Sequence, residues 1–114
     1  MAAHITVTPS GKRVKVTFKG VVVADTARAL ELREGSHPPT LYIPRADADM
    51  SLLHKTAHSS NCPHKGQASY FTIKVGAAES QNAIWSYETP HEAVAAIKGH
   101  LAFYPDRVDA IEAG

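Results

Sequence analysis

Apolar and polar residues alternate through the first third of the chain. Val14, Val16 and Phe18 point one way while Lys15, Thr17 and Lys19 point the other, the period of a half-buried strand. Ile5 and Val7 repeat the pattern, and Pro9-Ser10-Gly11-Lys12 between the two runs has turn chemistry. Ile5 to Val7 and Val14 to Phe18 are therefore predicted to pair as an antiparallel hairpin. Gly20 ends the second strand, Val21 to Asp25 resumes β-rich sequence, and Leu30-Glu31-Leu32 alternates again. Gly35-Ser36-His37-Pro38-Pro39 reads as a loop, because each proline lacks a backbone donor and restricts the residue before it. Leu41-Tyr42-Ile43 is a short predicted strand closed by Pro44, and Met50 to Leu53 suggests another.

From His54 to Gly66 the periodicity is lost and the composition turns to His, Ser, Thr, Asn, Pro and Gly. This predicts a long irregular loop, and long loops in compact proteins tend to carry function. Strands are predicted again over Ala68 to Val75 and Asn82 to Tyr87. Thr89-Pro90-His91-Glu92 has the form of a capping box with proline at the first helical position, so one helix is predicted over about Pro90 to Lys98. On that reading Thr89→Ala removes a cap worth ~1 kcal/mol. Leu101 to Tyr104 reads as a last strand and Pro105 to Val108 as a turn leading outward. Many short strands with one late helix predict a mainly-β fold, two antiparallel sheets packed at an angle with one short helix near the C-terminus.

Composition narrows the function classes. With 114 residues, 44% of them hydrophobic and 20% charged, the chain is expected to form one domain over 1–114 that needs neither a disulfide nor a metal to fold. Twelve Lys and Arg against eleven Asp and Glu give a net charge of +1, which calls for no nucleic-acid partner and no anionic membrane. The basic hairpin of Lys12, Arg13, Lys15 and Lys19 alternates with core valines and reads as a solvated sheet face. The single cysteine fits a reducing compartment, no apolar run approaches the ~18 residues of a membrane span, and Met1-Ala2-Ala3-His4 is no signal peptide. The expected location is the cytoplasm.

Five blocks in order carry a family resemblance. They are Val23-Ala24-Asp25-Thr26-Ala27-Arg28-Ala29-Leu30, Tyr42-Ile43-Pro44-Arg45-Ala46-Asp47, Cys62-Pro63-His64-Lys65-Gly66-Gln67-Ala68-Ser69-Tyr70, Trp85-Ser86-Tyr87-Glu88-Thr89-Pro90 and Ile97 to Val108. Together they resemble the bacterial domain of unknown function 427 family over about Val14 to Val108, with His64 and Asn61 standing where that family more often has Tyr and His. The resemblance implies a small β-tent-like or open-barrel-like domain. A nucleotidyltransferase label sometimes attached to the family implies a phosphate loop and a magnesium site. Neither is legible here, because no glycine-rich loop opens a helix and Asp47-Ala48-Asp49 is the only close carboxylate pair.

Candidate chemistry concentrates in the third and fourth blocks. His54, His58, Cys62 and His64 are zinc-type ligands, but they fall in one stretch without the second ligand pair a structural zinc site uses, so an exposed histidine-rich loop is expected and no metal or cofactor is assigned. Cys62 and Lys65 are the candidate catalytic residues: a neighbouring cation would favour the Cys62 thiolate, and the Lys65 ammonium beside Gly66 could receive an anion. Trp85 and Tyr87 lie two apart on a strand and so share a face, with Tyr70 placed to sit opposite. Arg28, Arg45 and Arg107 are expected to pair with carboxylates such as Asp25, Asp47 or Asp106. The expected function is small-ligand binding in an aromatic pocket beside the Cys62 to Gly66 loop, using Arg45, Cys62, His64, Lys65, Tyr70, Trp85 and Tyr87. Two alternatives remain open, an enzyme acting on a nucleotide or small metabolite through Cys62 or Lys65, and a protein-interaction module.

Overall fold

The computed structural model describes residues 4–114; the start at Met1 to Ala3, read above as no signal peptide, lies outside them. The described strands are β1 (Ile5–Pro9), β2 (Val14–Phe18), β3 (Val21–Thr26), β4 (Leu30–Glu34), β5 (Thr40–Tyr42), β6 (Leu53–Cys62), β7 (Gly66–Val75), β8 (Ala78–Tyr87), β9 (Ala102–Phe103) and β10 (Ala110–Ala113). They form antiparallel sheets in the orders β1-β4-β5, β10-β2-β3 and β6-β7-β8-β9. The mainly-β architecture is as expected, divided among three open sheets rather than two.

The first hairpin is not the predicted one. β1 pairs with β4, from Ile5 opposite Glu34 to Pro9 opposite Leu30, while β2 pairs with β3 and β10. Between β2 and β3 the two turn residues Lys19 and Gly20 have φ of 52° and 76°, the left-handed pair that matches strand twist and closes a two-residue hairpin. That turn fills one edge of β2 with β3 and β10 fills the other, so β1 passes to the other sheet. The Pro105–Arg107 segment is a 3-10 turn that leads back into β10 rather than outward, pairing Ala110 to Ala113 with Thr17 to Val14. Met50–Leu52 is likewise a 3-10 turn and not a strand, capped by the Asp49 side chain, which accepts from the Ser51 N–H at 3.1 Å.

The largest correction falls on His54 to Gly66. It is no loop: Leu53–Cys62 is a ten-residue strand at the sheet edge, paired with β7 from Leu53 opposite Ile73 to Cys62 opposite Gly66 and irregular between Lys55 and Ser59. Most of its side chains are exposed, so backbone bonding to β7 holds it and no apolar alternation is required. Charged and polar residues on such an edge also discourage pairing with other chains. What the sequence marks as loop reduces to the Cys62–Gly66 turn between β6 and β7, where the Lys65 N–H donates to the Cys62 carbonyl at 3.2 Å.

This turn also displaces the expected helix. Thr89 caps nothing: the His91 N–H donates to the Lys65 carbonyl at 2.9 Å, which holds the approach extended, and winding begins at Glu92. The Glu92–Ile97 segment is 3-10, is broken at Val94 (φ −124°, ψ 27°) and buries Val94 and Ile97. The capping-box reading is therefore corrected, and Thr89→Ala loses no capping bond. Gly66 instead anchors the junction, at φ +116° and with a Cβ direction 3.4 Å from the Thr89 carbonyl. Gly66→Ala should cost about 1–3 kcal/mol, through left-handed strain and a crowded Cβ. A thermal midpoint unmoved by that substitution would refute the assignment.

The four-stranded sheet is the common wall of two cores. Phe71, Ile73, Ala83 and Ile84 pack with Val14, Val16, Phe18 and Val23. Nearer the β6–β7 turn, Ala68, Tyr70 and Tyr87 pack with Leu32, Tyr42, Val94 and Ile97. The central strand β7 is buried from Tyr70 through Ile73, as expected of a strand covered on both faces.

Candidate functional site

Where the second core meets solvent it leaves a hollow of about 230 Å³. Strand period places its walls. Leu32 and Glu34 of β4, Thr40 and Tyr42 of β5, and Trp85 and Tyr87 of β8 are each two apart, so each pair presents one face to the same space. Tyr70 stands opposite Trp85 in the β7–β8 register and also lines the hollow, together with Lys65, Tyr104 and the loop residues His37 and Pro38.

The rings carry an ordered set of polar tips. Trp85 Nε1 donates to the Tyr42 hydroxyl at 3.2 Å, with the two rings edge to face at 6.4 Å. The Tyr42 hydroxyl thus accepts from the indole and keeps its own proton to give. Trp85 also packs on Tyr104 at a ring separation of 4.5 Å. Tyr70 hydrogen-bonds Ser60 through its hydroxyl at 2.8 Å and meets the His58 ring at 4.5 Å. Burial holds the Tyr42 and Tyr87 phenols protonated well beyond the ordinary tyrosine range, and burial followed by the Tyr70 hydroxyl pushes Tyr104 up to about 12. At neutral pH these are neutral donors and acceptors, not charges.

The one ion pair in the wall joins Lys65 Nζ to Glu34 Oε1 at 2.7 Å, with the two side chains only 12% and 19% exposed. The Lys65 hydrogen bond pulls the Glu34 carboxyl down. Burial opposes the Lys65 charge, but the bond to Glu34 and the neighbouring negative groups more than offset it and raise the ammonium overall. Lys65 is accordingly no free cation. It shows donors beside the Glu34 acceptor, and the hollow suits polar groups that carry both.

Of the seven predicted ligand residues, Lys65, Tyr70, Trp85 and Tyr87 line this hollow, and the other three do not. Arg45 serves the opposite face of β8: it donates to the Gly99 carbonyl at 2.7 Å and to Ser86 and Glu88 at 3.3 and 3.2 Å, and lies over the Phe71 ring at 5.2 Å. Ser86 alternates with Trp85 and Tyr87, which is why Arg45 is not at the rim. Cys62 packs beside the second core, half-buried, and His64 is exposed on the turn. His54, His58 and Cys62 are strung along β6, and from His54 opposite Thr72 to Cys62 opposite Gly66 they spread over about 20 Å. Among the described residues no group of three His, Cys, Asp or Glu side chains is placed to hold a metal ion. Asp47 is occupied by Arg28 at 3.0 Å and by the Thr26 hydroxyl at 2.6 Å, and Arg107 donates to the backbone at Gln81 and Asn82.

Beyond the predicted set, Leu32, Glu34, His37, Pro38, Thr40, Tyr42 and Tyr104 are also wall residues. Glu34 had a signal: it shares strand parity with Leu32, so an acid sits on an inward face. The loop residues had none, because only the fold brings the β4–β5 connection over β8.

Behind the sheet, Glu88 gathers Lys55 at 2.6 Å, Ser69 at 2.9 Å and Arg45. The Lys55 bond first, then Ser69, holds its carboxyl down to about 2 from an ordinary 4.5. A depressed carboxyl stabilises the fold above its unfolded pKa and loses that contribution as pH falls through its folded one. Glu88→Gln should therefore flatten the acid side of the stability profile between about pH 4.5 and 2. Urea midpoints across that window check it, and an unchanged slope would count against the network.

Among the described residues no helix is long and apolar enough to cross a membrane. No curated protein matches the chain. A family model described as a domain of unknown function (DUF427) matches residues 6–114, from within β1 through β10 and across all the walls of the hollow. The five sequence blocks and this match agree, and the chain belongs to the DUF427 family.

Proposed function

We propose that the protein is a small-ligand-binding β-domain whose site is the aromatic hollow formed by Tyr70, Trp85 and Tyr87 beside the Cys62–Gly66 turn. The observation that carries this reading is the convergence of Lys65 and its partner Glu34 with four tyrosine rings and the Trp85 indole in one concave space. Few placed polar groups among flat apolar walls are how ligand sites combine affinity with orientation. Because the Lys65 charge is matched by Glu34, the ligand is planar and polar with both donor and acceptor atoms, rather than a bare anion.

Trp85 is the chain's one tryptophan, so its emission reports on the site alone. A screen of nucleobases, phenols and small carboxylates should find compounds that change this emission and give saturable heats by calorimetry. Trp85→Phe should keep the fold and weaken such binding by about five- to tenfold, the value of a lost ring contact and indole donor. If no compound changes emission or gives heat at millimolar concentration, the binding reading fails.

A further inference from the structure

A second hollow adjoins the first and differs from it in character. It encloses about 300 Å³ and is walled by Val14, Val16, Leu41, Ile43, Phe103 and Ile111, with no charged residue in its lining. β5 divides the two. Its residues alternate, Thr40 and Tyr42 facing the hydroxyl-lined hollow and Leu41 the apolar one, which Ile43, just past the strand, also lines. β5 is also the last strand of its sheet. Past Tyr42 its outer edge is closed by Ile43, which exchanges backbone hydrogen bonds with Leu101 at 2.8 and 2.7 Å, so the two hollows meet at the Thr40 end. Thr40 and Trp85 border both spaces.

Size gives the reason to join them. Ligand sites usually enclose roughly 300–1,000 Å³. The hydroxyl-lined hollow alone falls short of that range at about 230 Å³, whereas the two together lie within it. Their chemistry is complementary as well. One end offers ring faces, hydroxyls and the Lys65–Glu34 pair, and the other is mainly hydrocarbon without a charge.

We infer that the ligand is amphipathic: a planar polar head lies against Trp85 in the hydroxyl-lined hollow, and an apolar chain passes Thr40 into the hollow lined by Leu41 and Ile111. This rests on the small-ligand reading above and adds the class of molecule. A head alone leaves the half-buried Leu41 and Ile111 partly facing water, while a chain placed against them removes hydrocarbon surface from water at both partners.

The test is a homologous series of neutral probes, the methyl, propyl and pentyl esters of 4-hydroxybenzoic acid, titrated into the full chain by calorimetry and Trp85 emission. Each added methylene should tighten binding by about fourfold until the chain fills the second hollow. In methyl-labelled protein the Leu41 and Ile111 resonances should shift with the pentyl ester and stay in place with the methyl ester. Leu41→Trp fills the hollow and should flatten the series while keeping the methyl ester's affinity. Leu41→Gln, which leaves the space but makes it polar, should flatten it too if the larger side chain unfolds the protein. Equal affinity along the series, or methyl groups that ignore the chain, overturns the inference and leaves the head site standing. If no ester binds at any length, the small-ligand reading falls and this inference with it.

Discussion

Lys65→Met should destabilise the protein by about 2–3 kcal/mol, although the residue lies on a turn. The substitution keeps the length and apolar stem of the side chain but leaves the Glu34 carboxylate in the wall of the hollow without its partner at 2.7 Å. Removing one member of a fully buried pair costs about 3–5 kcal/mol, because the survivor stays desolvated and uncompensated. The residual exposure of 12% and 19% places this pair somewhat below that range and well above the ~0.5 kcal/mol of a solvated surface pair. Glu34→Leu added to Lys65→Met should recover most of the loss, since no orphan charge then remains. Urea unfolding is the measurement, read as a shifted midpoint at constant slope. A loss no larger than that of a surface pair, or a double variant as unstable as the single, would remove the ion pair from the account of the site.

The largest stability loss should come from Ile84→Ala, at about 3–4 kcal/mol. Ile84 is fully buried, pairs with Phe71 on one side and Phe103 on the other, and belongs to the core between the four-stranded sheet and β2–β3. Truncation loses the transfer energy of the side chain and adds a cavity that flanking strands cannot close, a combination that spans about 2–5 kcal/mol in well-packed cores. Ile84→Val, one methylene smaller, should cost about 1 kcal/mol. Its neighbour supplies the contrast. Trp85 faces the hollow, so Trp85→Phe should act on binding while Ile84→Ala acts on folding and leaves the ligand response of the folded fraction intact. If the two adjacent substitutions had the same effect on binding, the assignment of the two β8 faces to core and site would be wrong.

That alternation was legible in the chain itself. Trp85 and Tyr87 share a face by the two-residue period, and Tyr70 falls opposite Trp85 once β7 and β8 form a hairpin, as the register has it. β2 could be read because it buries apolar side chains at that period, β3, β7 and β8 because they are rich in β-branched and aromatic residues, and the family because its blocks are local strings of residues. β6 and β10 could not, since an edge strand is held by backbone bonds to its neighbour, and a mostly exposed strand such as β6 has no apolar face to betray it.

Partner choice lay further out of reach. Whether β1 pairs with β2 or with β4 is decided by what fills the two edges of β2: the Lys19-Gly20 turn brings β3 to one, and β10, from the far end of the chain, takes the other. The same holds for Thr89-Pro90-His91-Glu92, whose local capping signal is overridden because the His91 N–H is taken by Lys65, 26 positions earlier. So the chain by itself determined the strand character of the core segments, the family and the aromatic face of β8. Tertiary structure alone decided that Glu34 neutralises Lys65, that Arg45 turns to the other side of the sheet, and that the edge of β5 divides a polar hollow from an apolar one. Those outcomes depend on contacts between segments distant in sequence, which neither period nor propensity encodes.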